Sequence, residues 1–198
     1  NIAAITNITQ DHLDYHRTFN NYEKTKYKLF LKHLSNNGVA ILNDNIKKIY
    51  FLKHQLKKRN FKIISYGKNN SQVNCVRYKS GIKIKIYLKN YLIKSFQIID
   101  FELENLACSI CCCLALGLKK EKIIKSINKI PKPPGRMQLV NSLYNGAKIF
   151  VDYAHTPNAL KNILVSNNNN FIKPSIVFGC GGNRDKNKRA KMGKIANK

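Results

Sequence analysis

The sequence predicts an α/β protein, and two patterns carry that prediction. Helical and extended segments alternate through the first third of the chain and again beyond Lys148, the order expected of a sheet covered by helices. Between them, Val73 to Ile99 alternates apolar and polar residues, as in Ile82-Lys83-Ile84-Lys85-Ile86-Tyr87, the period-2 signature of antiparallel strands with one wet face. With 43% of its 198 residues hydrophobic, the chain can bury a substantial core.

Taken in order, a polar stretch from Thr9 to Asn20 precedes Tyr22 to Leu34, where apolar residues recur at helical spacing up to the turn signal Ser-Asn-Asn-Gly. Gly38 to Asn43 reads as a short strand, Asp44 as the cap of a helix running to about Lys58, and Phe61 to Tyr66 as a second strand. After the alternating region, Leu103, Leu106, Ala107, Ile110, Cys111, Leu114 and Leu118 define an amphipathic helix, and another follows near Lys120 to Asn128. Pro131, Pro133, Pro134 and Gly135 cannot continue a helix, which places a domain boundary between residues 1–131 and 132–198. Past it, Lys148 to Tyr153 reads as a strand, Pro157 to Val165 as a helix, and Ser175 to Cys180 as a strand leading into Gly-Cys-Gly-Gly. Asn167 to Asn170 is a low-complexity loop. In such a βαβ unit, ligands bind beyond the carboxyl ends of the strands, where Asp152 to His155 and Gly179 to Arg184 would stand.

A net charge of +26 points, at face value, to a polyanion such as nucleic acid or to a membrane surface. The choice of residues argues against both: 30 Lys accompany only 6 Arg, 26 Asn and 24 Ile are similarly abundant, Trp is absent, and the lysines are spread evenly. That is the drift of A/T-rich codons rather than a selected surface, so no nucleic-acid or membrane partner is expected. The longest apolar run, Leu106 to Leu118, is broken by Ser109 and falls short of the roughly 20 residues that cross a bilayer. The chain opens without a basic start and apolar run, so the expectation is a cytoplasmic protein without a signal peptide. Six irregularly spaced Cys do not form a disulfide framework, and Cys108, Cys111 and Cys112 read as small core residues of one helix.

Residues that the drift disfavours cluster in three stretches: Asn7 to His16, Gly135 to Pro157, and Phe178 to Arg189. These hold four of the ten acids, three of the five His, three of the six Arg and five of the ten Gly, which makes them candidates for chemistry. The first packs Asp11, His12, Asp14 and His16 together, a set able to bind a divalent metal or move protons, or simply to cap a polar loop. Lys26 shares the apolar face of its helix with Tyr22, Leu29 and Phe30, unlike Lys24 and Lys28. A lysine there either packs its stem while its head reaches water, or becomes neutral enough to react with an electrophile such as carbon dioxide. The Gly-rich turn near Gly179 lets backbone amides approach an anion, with Arg and Lys near to clamp phosphate or carboxylate, or else forms a basic surface loop.

Five segments, Thr6-Asn-Ile-Thr-Gln-Asp-His-Leu-Asp-Tyr-His16, Tyr22 to Phe30, Gly135-Arg-Met137, Val151-Asp-Tyr-Ala-His-Thr-Pro157, and Phe178 to Arg189 with Met192-Gly193, stand in the order and spacing of the Mur ligase family. The chain resembles that family over nearly its whole length. The resemblance implies an α/β architecture: the remainder of a central ATPase-type domain over residues 1–131, then the start of a Rossmann-like C-terminal domain over 132–198. It implies an ATP-dependent amide ligase that adds the third amino acid, meso-diaminopimelate or lysine, to UDP-N-acetylmuramoyl-dipeptide in peptidoglycan synthesis. In the family the substrate carboxylate takes the γ-phosphate of ATP and the incoming amine displaces the acyl phosphate. By matching position, His12 would bind Mg2+, and Lys26, as a carbamate, would complete that site. Arg136, Asp152 and His155 would hold the nucleotide, Arg184 would face the carboxylate of the incoming amino acid, and Asn183 would stand beside it.

Departures accompany the match. Phe101-Glu-Leu-Glu-Asn105 replaces the family's Phe-Asn-x-x-Asn, and no G-x-x-x-x-G-K-[ST] phosphate loop occurs in the 198 residues. The family's N-terminal domain and phosphate loop are expected ahead of Asn1 and the rest of the C-terminal domain after Lys198, so these residues alone are not expected to turn over ATP. Three other readings stay open: another Mur-type or folylpolyglutamate-type ligase, which Asp-Tyr-Ala-His-Thr-Pro disfavours, a decayed inactive product, and a basic polyanion-binding module.

Overall fold

A computed structural model of the chain describes residues 1–9, 13–79, 81–94, 98–166, 174–181 and 185–197. It divides into two compact units, Asn1–Lys125 and Ser126–Lys198.

The first unit is built on a six-stranded sheet in sequence order, β1 (Ile2–Ile5), β2 (Val39–Asn43), β3 (Lys62–Tyr66), β4 (Val73–Tyr78), β5 (Gly81–Ile86) and β6 (Lys89–Lys94). β1 to β4 run parallel, joined at β3–β4 by the single pair Tyr66↔Val73, and β4 to β6 run antiparallel. This register follows from the residues. Ala40, Ile41 and Leu42 of β2 are fully buried, as a parallel strand covered on both faces must be. In β5 the isoleucines 82, 84 and 86 are buried while Lys83 is exposed, so the predicted wet face is present.

Helices cover the parallel part. α1 (Leu13–His16) is a single turn, and α2 (Phe19–Lys28) starts at Thr18, whose hydroxyl accepts from the Asn21 N–H at 3.2 Å. One π-helical turn, Leu29–His33, extends α2, so the helix expected over Tyr22 to Leu34 is observed with a widened end that seats Phe30 in the core. α3 (Ile49–Lys58) joins Leu52 and Leu56 to Ala40, Leu42, Phe30 and Leu34 on one face of the sheet. α4 (Leu103–Ala115) crosses β1 to β4, burying Leu106, Ala107, Cys108, Ile110 and Cys111. α5 (Lys120–Ser126) and a 3-10 turn at Ile127–Lys129 follow, close to the second helix expected there. Of the three α4 cysteines read as core residues, Cys108 and Cys111 are buried and Cys112 is half-buried. Burial pushes the Cys75 thiol up to about 12 and the Cys112 thiol up to about 11, and it raises Cys111 as well.

Asp44 departs from expectation. The helix begins at Ile49 with Lys48 at its N-cap, because Asp44 is already committed: it accepts from the Ser71 hydroxyl at 2.6 Å and pairs with Lys53.

The second unit holds an antiparallel ribbon, β7 (Gln138–Ser142) and β8 (Lys148–Val151), then α6 (Pro157–Ser166) and α7 (Asn187–Ala196). Leu160 and Met192 are its buried anchors, and α6 and α7 pack together. The strand expected over Ser175 to Cys180 is absent: Pro174 to Gly181 is irregular and Val177 is fully exposed. Apolar β-formers make a strand only where a ladder receives them, and among the described residues no strand pairs with this segment. β8 also stops at Val151, two residues before the predicted Tyr153, because Asp152 turns the chain.

Candidate functional site

In the second unit, two distant stretches meet around one arginine. The Tyr153 N–H donates to the Gly135 carbonyl at 2.9 Å, and the Met137 N–H donates to Asp152 Oδ2 at 2.8 Å. Arg136 therefore stands between two residues that are each tied to the Asp152-Tyr153 corner. Asp152 Oδ1 also accepts from the Ala154 N–H at 2.8 Å, so both carboxylate oxygens hold backbone rather than reach outward. The bracket needs an unusual path: Gly135 has φ +66° and Met137 has φ +43°. Glycine adopts that region freely, but Met137 does so at a cost that the Asp152 bond offsets.

Above this corner the Arg136 guanidinium carbon lies 4.8 Å from the centre of the Tyr153 ring, within cation–π range. The ring meets the His155 imidazole edge-on, centroids 4.8 Å apart, and His155 Nδ1 lies 3.0 Å from the Tyr153 carbonyl oxygen. Thr156 then caps α6, its hydroxyl accepting from the Ala159 N–H at 3.3 Å. Arg136, Asp152 and His155 thus share one cluster, with Asp152 as the fastener, Arg136 presenting its charge and His155 an imidazole beside it. Such a cluster suits an oxyanion.

In the first unit, Lys26 is half-buried while Lys24 and Lys28 are exposed, in keeping with the apolar-face reading. Its ammonium sits 4.9 Å from the centre of the Tyr22 ring and donates to the Asn7 carbonyl at 3.2 Å. That bond is one of three. Consecutive carbonyls leaving β1 are each taken by a side chain: Ile5 by the Tyr66 hydroxyl at 3.1 Å, Thr6 by Asn43 Nδ2 at 2.7 Å, and Asn7 by Lys26. Asn43 is buried and fully committed. Its Nδ2 also donates to Glu104 Oε2 at 2.9 Å, its Oδ1 accepts from the Asn45 N–H at 2.9 Å, and Asn45 Nδ2 donates to Glu104 Oε1 at 2.7 Å. Glu102, the departure from the family pattern, accepts from the Ile99 N–H at 2.9 Å and so caps the chain entering α4.

His12, Asn183 and Arg184 lie outside the described residues. Among the described residues, no group of three or more His, Cys, Asp and Glu is placed to hold a metal ion. The sequence reading gave no role to Tyr153, Asn43 or Glu104. The available signal for Asn43 was its position, a polar residue closing the apolar run Val39-Ala-Ile-Leu at the carboxyl end of a strand.

Comparison with known proteins bears on both units. The Mur ligase middle domain matches residues 1–113, and the Mur ligase glutamate ligase domain matches residues 135–198. Among curated relatives, the UDP-N-acetylmuramoyl-L-alanyl-D-glutamate–2,6-diaminopimelate ligase of Rickettsia typhi is 40% identical over all of this chain and 41% of its own length. The ligase of the same name from Fusobacterium nucleatum is 40% identical over 98% of this chain and 40% of its own. The chain thus spans about two fifths of the relatives it matches. Among solved structures, MurF from Acinetobacter baumannii superposes with a TM-score of 0.70 at 18% identity, covering 84% of this chain and 37% of that one. A UDP-N-acetylmuramoyl-L-alanyl-D-glutamate–2,6-diaminopimelate ligase does so at 0.65 and 26%, covering 99% of this chain and 41% of that one. Two family patterns in the right order, the first alone covering more than half of the chain, make it a member of the Mur ligase family.

Proposed function

We propose that this chain carries the central and amino-acid-adding machinery of an ATP-dependent ligase that joins 2,6-diaminopimelate, as the third amino acid, to UDP-N-acetylmuramoyl-dipeptide during cytoplasmic peptidoglycan precursor synthesis. The observation that carries the reading is the clustering of Arg136, Asp152 and His155, brought together from both sides of the β7–β8 ribbon into a surface for a polyphosphate. The names of the relatives supply the substrate class.

In this reading Arg136 and His155 bind the nucleotide phosphates, and Asp152 holds the loop that presents Arg136. The substrate carboxylate is activated as an acyl phosphate, and the amine of the incoming amino acid, its carboxylate met by Arg184 with Asn183 beside it, displaces the phosphate. Mg2+ fits the hard oxygen donors that Lys26 would present as a carbamate, with His12 as the second protein ligand. Bound there, the ion would neutralise phosphoryl charge. Lys26 is half-buried, and the Asn7 carbonyl fixes its Nζ at the end of β1. The domain boundary at 131/132 belongs to the same proposal, supported by the two compact units dividing at Lys125 and by the family patterns ending at 113 and resuming at 135.

The test is to isolate the native polypeptide that carries these residues, determine its mass, and assay ADP release and amide product with UDP-N-acetylmuramoyl-dipeptide and Mg2+. Product with diaminopimelate supports the proposal; product with lysine instead corrects the amino acid, and no product with either overturns it. The 198 residues expressed alone, which hold no phosphate loop, are expected to release no ADP.

A further inference from the structure

We propose that Tyr153 is the positioning residue of the polyphosphate site: its ring is the platform that holds the Arg136 guanidinium in one orientation. The inference rests on the nucleotide role given above to Arg136 and goes beyond it, because the orienting element, Tyr153, is a side chain that the family match leaves without a function.

The geometry separates two tasks. The bonds from Tyr153 N–H to the Gly135 carbonyl and from Met137 N–H to Asp152 fix the backbone on either side of Arg136. They determine where the side chain starts, but several rotatable bonds lie between that backbone and the guanidinium. The ring 4.8 Å from the guanidinium carbon determines where the side chain ends. A guanidinium stacked on a ring keeps its N–H donors in its own plane, where they still meet an oxyanion in a two-pronged contact. The platform itself is steadied from two sides, by its backbone bond to Gly135 and by the edge-on contact with His155 at 68°. Tyr153 is 63% exposed, so its ring is not held in this place by burial in a core. A large aromatic left on the surface and stacked on the one arginine of the bracket is accounted for by orienting that arginine.

The experiment compares the native polypeptide with Tyr153→Phe, Tyr153→Leu, Arg136→Lys and the Leu/Lys double variant. Two readouts do not depend on the ligase reaction. NMR of the arginine side chains should show the Arg136 Hε resonance shifted upfield by the ring, a shift kept in Tyr153→Phe and lost in Tyr153→Leu at an unchanged melting temperature. Titration with inorganic tripolyphosphate should weaken about two- to fivefold in Tyr153→Leu and stay near the parent value in Tyr153→Phe, the range expected from an exposed cation–π contact. In the ligase assay, Tyr153→Leu should raise KM for ATP by the same factor with kcat changed less than twofold, and should add little to Arg136→Lys in the double variant. An unshifted Arg136 resonance in the parent, unchanged tripolyphosphate binding in Tyr153→Leu, or additive losses in the double variant would overturn the proposal. If the parent makes no amide product, the ligase reading fails while the resonance and tripolyphosphate arms still decide the role of Tyr153.

Discussion

The two units spend their apolar residues differently. In the first, Ala40, Ile41 and Leu42 of β2 lose all contact with water, and every parallel strand has helices against it. In the second, Leu139 and Val140 of β7 and Ile149, Phe150 and Val151 of β8 are all exposed. A two-stranded ribbon gains little from its ladder alone, and three or more strands or a helix packed on a face are needed for independent stability. The first unit is therefore held by its core. The second is held by local devices: the Asp152 bracket, the Thr156 cap and the Leu160–Met192 anchors.

The largest expected effect separates these regimes. Leu42→Ala should cost about 3–5 kcal/mol in urea unfolding, as for a fully buried leucine in a rigid site, whereas Phe150→Ala should cost less than about 1 kcal/mol. Equal losses would break the comparison. Alkaline titration should sharpen it next. Cys75 and Cys111 stay protonated in the fold well above the ordinary thiol value of 9, whereas in the unfolded chain they ionise near it. Their contribution is complete below pH 9 and declines as pH rises toward 12, because the unfolded state then binds fewer protons. Chemical denaturation at pH 8 and pH 11 should show the first unit weakened by about 2 kcal/mol from these thiols, a figure kept below the ideal linkage value. Replacing both by Ala or Ser should flatten that dependence.

A smaller loss, about 1–2 kcal/mol, is expected for Asn43→Ala, which strips the Thr6 carbonyl, the Glu104 carboxylate and the Asn45 N–H of a shared partner. An effect near zero would mean that the network is decoration on the sheet. The smallest is Thr156→Ala, about 0.5–1 kcal/mol on the melting of α6, readable by amide exchange at Ala159 and Leu160.

Most of the first unit was legible in its sequence, because periodicity reports burial and this unit is governed by burial. The helices at α2, α3 and α4 and the alternating β4–β6 region stand close to where spacing placed them. The miss at Asp44 is a competition that periodicity does not contain, since a side chain claimed by Ser71 and Lys53 cannot also cap a helix. β1 and β7 were unassigned: Ile2–Ile5 is too short and too uniform to show a period, and Gln138–Ser142 carries both polar and apolar residues on an exposed ribbon. α7 was hidden inside a run that reads as a basic loop, because the face it buries carries Lys188 as well as Met192. For the site, residue types and the family resemblance located Arg136, Asp152, His155 and Lys26. What they could not supply was the division of labour: that Asp152 spends both oxygens on backbone, that Tyr153 supports Arg136, and that Asn43 and Glu104 act on a strand end 37 or more residues away.

The three captured carbonyls at the end of β1 have a further consequence. Ile5, Thr6 and Asn7 are held by side chains from β3, β2 and α2, elements that come together only when the sheet is assembled. The exit path of that strand is therefore not a local motif that can fray and re-form by itself. It exists to the extent that the whole unit exists, so opening at this corner costs a large share of the global stability rather than the small sum typical of a loop. A chain that has lost its sheet has also lost this anchorage for Lys26, and a partly folded population offers no partly organised site.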